Sequence, residues 1–278
     1  MPPNPFPDST EKETLRRRDA VNLRGFKSVL GSTLSYCGLT SAQARDVLIW
    51  RESLASVCAV EIDDATRSDL NINWRQFNIG LPLKVVGSDI FEYLQAIDTP
   101  CYDVYNLDLY GGFTYSRQSN SSPFREALRA ICAKHRQERR SFALISTFNV
   151  RDTGVEQYDS LLNEIHNWLE GLEGVEANLK EHGRSHATKI KLCYMYTCWH
   201  AGRTHDFHVE FADPVFYNSG NTNLVHFYAE FRFRSQALPT PYADRERLAQ
   251  LAMMPLRRMN GRISTVELRP TPISKAVL

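Results

Sequence analysis

Val57-Cys58-Ala59-Val60-Glu61-Ile62-Asp63-Asp64 is the stretch on which the fold turns. Its apolar run shows no alternation of wet and dry residues and gives way at once to acids. That is the pattern of a parallel strand covered on both faces, ending at a polar rim.

The same unit recurs on either side. Upstream, Thr33 to Cys37 is a short apolar strand closed by Gly38, and Thr40 or Ser41 caps a helix from Ala42 to about Leu54, with Ala44, Val47, Leu48 and Leu54 turned inward. Downstream, a helix runs through Leu70 and Trp74, and Leu83 to Val86 forms a third strand ending at Gly87-Ser88-Asp89, followed by a short helix from Ile90 to Ala96. Tyr102 to Leu107 is a fourth strand and leads into Asp108-Leu109-Tyr110-Gly111-Gly112, where the glycine pair permits a tight turn. Residues 115–122 read as a polar loop, Pro123 opens a helix to about Arg139, and Phe142 to Phe148 is a fifth strand ending at Asn149. Strands alternating with helices predict an α/β protein: a Rossmann-like three-layer sandwich with a mostly parallel sheet.

The flanks differ. Residues 1–9 hold four prolines and read as a loose arm, after which a capped helix runs to about Val29. Its inward positions are Leu15, Val21, Leu23, Phe26 and Val29, and Arg16, Arg17 and Arg18 form a solvated face. After the fifth strand come a helix from Tyr158 to about Leu172 and a more polar helical piece reaching Glu181. Three long strands with alternating character follow, Ile190 to Trp199, Phe207 to Phe216 and Val225 to Phe233, read as antiparallel additions at one edge of the sheet. A helix from Asp244 to Met254 and a basic segment, Arg257 to Arg262, close the pattern. The expected organisation is an N-terminal arm and helix (1–27), a Rossmann-like domain with antiparallel edge strands (28–238), and a C-terminal helix and tail (239–278).

The 278 residues carry 33 Lys and Arg against 32 Asp and Glu, a formal charge of +1, which excludes charge-driven wrapping of nucleic acid and leaves short basic clusters such as His135 to Arg140. Six cysteines without a closely spaced framework, and no run of eighteen apolar residues, lead to the expectation of a cytoplasmic protein with no membrane span. Cys193, Cys198, His200, His205 and His208 invite a zinc site, but period-two alternation divides them between two strand faces and no C-x-x-C pair occurs, so no metal is expected. Walker, nucleophile-elbow, zincin and kinase motifs are absent from the sequence.

The order of polar strand ends resembles that of class I S-adenosylmethionine-dependent methyltransferases: Glu61 after strand two, Gly87-Ser88-Asp89 after strand three, and Asn106-Leu107-Asp108-Leu109-Tyr110-Gly111 at strand four. The last is similar to the Asp-Pro-Tyr-Gly motif of the tRNA guanine N2-dimethyltransferases, with Leu109 in place of proline. The family's glycine-rich loop after strand one is represented only by Gly38-Leu39-Thr40-Ser41. The resemblance covers roughly residues 28–152. It implies S-adenosylmethionine as cofactor, bound across Gly38, Glu61, Asp89 and Asp108, with Glu61 on the ribose hydroxyls and Asp89 on the adenine amino group.

A carboxylate at a strand end suits ribose hydroxyls, and an Asp acceptor offsets the cost of burying an exocyclic N–H. On the acceptor side the expected catalytic residues are Asp108, Tyr110 and Asn106, with Asn149 also lining the site. Asp108 would orient an amine and Tyr110 would stack on a planar base. The expected acceptor is an amino group of a nucleic acid base or of a small molecule. The alternatives make Glu61 a helix-capping or solvated acid at a strand exit and Asp89 the cap of the Ile90 helix. The chain would then be a non-catalytic interaction subunit, or one using the crevice for another S-adenosylmethionine or nucleotide reaction. A homo-oligomer or a partner protein is compatible with either.

Overall fold

A computed structural model describes residues 9–109, 122–150, 155–170, 185–234, 241–254 and 256–259. Among the described residues nine strands form one sheet: β1 Leu34–Gly38, β2 Leu54–Val60, β3 Leu83–Val86, β4 Val104–Asp108, β5 Phe142–Asn149, β6 Phe207–Phe211, β7 Val215–Ser219, β8 Thr222–Phe233 and β9 Arg257–Arg258. Their order is β3-β2-β1-β4-β5-β8-β7-β9, with β6 also paired to β8. The first five strands are mutually parallel, and β8 runs antiparallel to β5, β6 and β7. This is the expected mostly parallel, Rossmann-like three-layer sandwich with antiparallel strands at one edge. From β1 the chain winds one way through β2 and β3 and then the other way through β4 and β5. The β1/β4 boundary is therefore the topological switch point, outside which such sheets bind ligands.

Alternate residues of each strand face opposite layers. Tyr36, Val57, Ala59, Val104 and Ile145 meet α1 (Thr10–Leu30), α2 (Arg45–Trp50) and α3 (Asp64–Gln76) through Leu23, Phe26, Trp50, Leu70 and Trp74. Cys37, Cys58, Tyr105, Leu107 and Leu144 meet the other layer. Its helices are α4 (Ile90–Gln95), α5 (Pro123–Glu138), α6 (Val155–Leu169), α7 (His186–Thr204) and α8 (Pro241–Met253). No helix among the described residues is long and apolar enough to cross a membrane.

Several expectations require correction. Residues 190–199 are not a strand but the middle of α7, whose side chains are buried without a break from Ile190 to Trp199. A helix covered all round loses its 3.6-residue stripe, and its aromatic and β-branched residues then mimic a strand. The chemistry of its start is helical: the Ser185 hydroxyl accepts from Thr188 N at 3.1 Å. Ala201-Gly202-Arg203 continues that helix, and Gly202 is needed where a Cβ would lie 2.3 Å from Val209. Cys193, Cys198 and His200 thus share a helix rather than alternating strand faces. All six cysteines are buried.

Residues 207–216 divide into β6 and β7 at Asp213-Pro214, since proline has no N–H for the ladder. The second helix is shorter than expected: Ala44 is left-handed at φ 48°, the helix spans only Arg45–Trp50, and Leu54 already belongs to β2. On α1, Arg16 is buried and Arg18 donates to the Asp213 carbonyl at 2.7 Å, leaving Arg17 as the exposed member of the triplet. Val29, expected inward, is exposed. The polar loop at 115–121 and the helical piece toward Glu181 lie outside the described residues.

Candidate functional site

The parallel strands deliver their polar ends to one edge, and local geometry fixes each differently. Gly38 pairs with Asn106 across β1 and β4, and a Cβ there would sit 2.3 Å from the Asn106 carbonyl oxygen. The glycine is required by this close strand approach. Leu39 N donates to the same carbonyl at 3.1 Å.

Glu61 leaves β2 with its N–H bonded to Val86 O at 3.0 Å, and its Oε1 accepts from Asp63 N at 3.0 Å. Asp63 caps α3 through Thr66 N at 2.7 Å. That hydrogen bond holds the Asp63 carboxyl below its usual range. Arg67, one turn along α3, donates to the carbonyls of Glu61 and Ile62 at 2.9 and 2.8 Å. Its guanidinium fills the space beside Gly87. Asp89 caps α4, its Oδ1 accepting from Phe91 N at 2.8 Å and Glu92 N at 3.2 Å.

At the end of β4 the chemistry becomes denser. Asp108 Oδ2 accepts from Lys12 Nζ of α1 at 2.6 Å. Asn106 is 3% exposed, and its amide donates to Tyr36 Oη at 3.2 Å and Asp46 Oδ2 at 3.3 Å. Asp46, on α2, is also held by the Arg16 guanidinium. Burial raises its carboxyl above the ordinary range and Asp108 adds to this, while Arg16 and Lys12 pull it back. Burial likewise raises the Tyr36 hydroxyl.

Across the sheet, Asp108 is in register with Thr147 of β5 and Thr147 with His226 of β8. Thr147 and His226 Nδ1 lie 3.0 Å apart, and His226 Nε2 stands 3.1 Å from Asp19 Oδ2 of α1. With Nε2 donating to the carboxylate, Nδ1 accepts from the threonine hydroxyl. Lys12, Arg16 and Asp19 thus lie along one face of α1 at helical spacing, each matched to a partner of opposite or complementary charge. A narrow cleft of about 20 Å³, room for about one water molecule, lies between α1 and this row and opens to solvent, with Trp50 and Tyr217 among its walls.

The structure therefore brings Asn106 and Asp108 into one cleft. Gly38 supports that cleft from behind, whereas Glu61 and Asp89 stand along the rim at β2 and β3. Tyr110 lies outside the described residues, and Asn149 ends β5 in register with Leu224. Sequence reasoning missed Lys12, Arg16, Asp19, Asp46, Thr147 and His226. One signal was available: a lysine in the first turn of a helix, where positive charge is disfavoured.

No protein-family description and no curated relative matches the chain. Among solved structures, it is similar to a putative methyltransferase from Escherichia coli at 14% identity and TM-score 0.41, over 83% of this chain and 92% of that one. A precorrin-6y C5,15-methyltransferase from Geobacter metallireducens aligns at 13% identity and TM-score 0.43, over 82% and 92%. Trm1 from Pyrococcus horikoshii, in complex with S-adenosyl-L-methionine, aligns at 10% identity and TM-score 0.48, over 82% of this chain and 57% of that one. The assignment of this chain to a Rossmann-like α/β sandwich rests on its own strand order.

Proposed function

We propose that the chain is an S-adenosylmethionine-dependent methyltransferase, with the cofactor held along the carboxyl edge of β1 to β4. The observation that carries this reading is the succession of Gly38 and Asp108 ending β1 and β4, Glu61 directly after β2 and Asp89 capping the helix that follows β3, at the carboxyl ends of four adjacent parallel strands whose order reverses between β1 and β4. The donor set fits the group. Glu61 is partly exposed at the rim and offers carboxylate oxygen to ribose hydroxyls, and Asp89 stands beyond β3 where an adenine amino group would meet it. When bound, the cofactor supplies an electrophilic methyl group. The chain's own contribution is to hold an acceptor amine at Asp108, beside α1, with Tyr110 nearby in sequence. The acceptor is an amino group carried by a nucleic acid base or by a small molecule.

Three observations favour a second reading. Lys12 is seated on Asp108, the β1 turn offers a single glycine that Asn106 already requires, and Asp89 Oδ1 serves as a helix cap. A non-catalytic interaction subunit would retain this arrangement. Calorimetric titration of the full chain with S-adenosylmethionine and with its demethylated product separates the two. The enzyme reading expects binding that Glu61→Ala weakens at least tenfold, and transfer of labelled methyl to an amine. Absence of heat with both compounds, together with an unaffected Glu61→Ala fold, would overturn it.

A further inference from the structure

Lys12 sits in the first turn of α1, two residues after Thr10, where unpaired N–H groups and the helix dipole repel a cation. Glu11 and Glu13 beside it suit that position, and Lys12 does not. Its compensation comes from 96 residues away: the ammonium lies 2.6 Å from Asp108 Oδ2. Both side chains keep 19% of their surface open, while Arg16 and Asp19 further along the same face are nearly closed off. The Lys12 contact is therefore the more open of the three that α1 makes across the cleft, and it belongs to the turn of the helix nearest its fraying end.

We propose that the cleft between α1 and the carboxyl ends of β4, β5 and β8 is a binding site for a protonated aliphatic amine, for which the Lys12 ammonium is the internal occupant. The inference rests on the reading of Asp108 as the acid that holds the acceptor, and it narrows that acceptor to an aliphatic amine, which binds as the ammonium and gives one proton to solvent before its nitrogen lone pair can take a methyl group. When the first turn of α1 withdraws, Asp108 loses the ammonium that pairs it, and Asp19, Asp46 and Asp108 face Arg16 alone among the charged described residues that line the cleft, so a further cation is favoured there. A carboxylate partly buried without a partner is costly, so an uncharged or anionic molecule is a poor replacement. The exocyclic amino group of a nucleobase carries no charge at neutral pH and cannot replace Lys12 in this role. An alkylammonium can, and the Asn106–Asp46 and Thr147–His226 pairs keep the remaining polar atoms satisfied while it does.

Ligand-observed NMR with n-butylammonium as the probe and n-butanol as its uncharged counterpart tests this on the full chain, with no S-adenosylmethionine present. The expected result is that Lys12→Gln binds n-butylammonium at least tenfold more tightly than the wild type does. Adding Asp108→Asn removes the gain, and n-butanol binds neither protein. Equal affinity of Lys12→Gln and wild type, or butanol binding as well as the ammonium, overturns the proposal. If Lys12→Gln loses its circular dichroism signature, the wild type still decides the matter: Asp108→Asn must weaken its amine binding at least tenfold, and no change overturns the proposal. Amine binding without cofactor binding sinks only the cofactor reading, and the converse sinks only this one.

Discussion

The two faces of the sheet are built from alternate residues of the same strands and follow opposite rules. On the α5 and α7 side, rings pack without interruption: Phe142 stacks on Phe231 at 4.4 Å, Tyr194 on Phe227 at 4.1 Å, and Phe124 meets Phe148 edge-on at 5.5 Å. On the α1 side, near the strand ends, the neighbouring residues are Asn106, Asp108, Thr147 and His226, clasped by Lys12, Arg16 and Asp19. Leu107 faces one layer and Asp108 the other; Phe227 faces one and His226 the other. Pleating thus lets one layer supply stability while the other carries charged groups around a cleft.

Breaking each face should therefore have unequal effects. Phe142→Ala removes a fully buried ring from the aromatic layer and is expected to cost about 3–5 kcal/mol in urea unfolding. Asp108→Asn breaks a pair that is partly open to solvent and should cost less than ~1 kcal/mol. If the two costs are equal, the polar face is a structural clasp like any other and the contrast fails.

A titration sharpens the same contrast within the apolar layer. Lys191 of α7 donates to the carbonyls of Ala252 and Met254 at 2.9 and 2.7 Å, closing the end of α8. Burial lowers its ammonium to about 8. In the unfolded chain the lysine keeps its proton to about pH 10.4, so between these values the unfolded state binds more protons and stability rises with pH. The rise is expected to reach no more than ~3 kcal/mol. Comparison with Lys191→Met isolates it from other groups that titrate in that window. Urea midpoints that fall with pH equally in both proteins would contradict the assignment.

The most local effect belongs to the cap that positions Lys12. Ser9 Oγ accepts from Lys12 N at 3.2 Å, and Ser9→Ala should cost about 1 kcal/mol while loosening the first turn over the cleft. Faster amide exchange confined to residues 10–14 is the expected signature, and unchanged exchange would show that the cap does not hold that turn.

The first half of the chain was legible because parallel strands buried on both faces stand out as short apolar runs bounded by Gly, Asp and capping residues. β3 lies where it was expected, and β2 and β4 needed only shifts of one to three residues at their ends. α7 was not legible: burial on every side erased its helical period, and its N-cap was a single serine in a polar stretch. The positions of Gly38, Glu61, Asp89 and Asp108 followed from strand order, and the cap at Asp89 from the residues after it. The partners of Asp108 and His226 did not, because Lys12 and Asp19 come from a helix 96 and 207 residues distant and no local pattern encodes such pairings. The Arg16 to Arg18 triplet looked like a solvated face because charge alone does not reveal that Arg16 is covered by Asp46 and α2.

Hydrogen exchange on the full chain, with and without the demethylated product of S-adenosylmethionine, tests the central claim most directly. The account predicts slowed exchange at residues 38–41, 61–63, 87–90 and 106–109, the four carboxyl ends that flank the switch point, with no change at the opposite edge of the sheet. Unaltered exchange at all four segments, or protection confined to the amino edge, would contradict it.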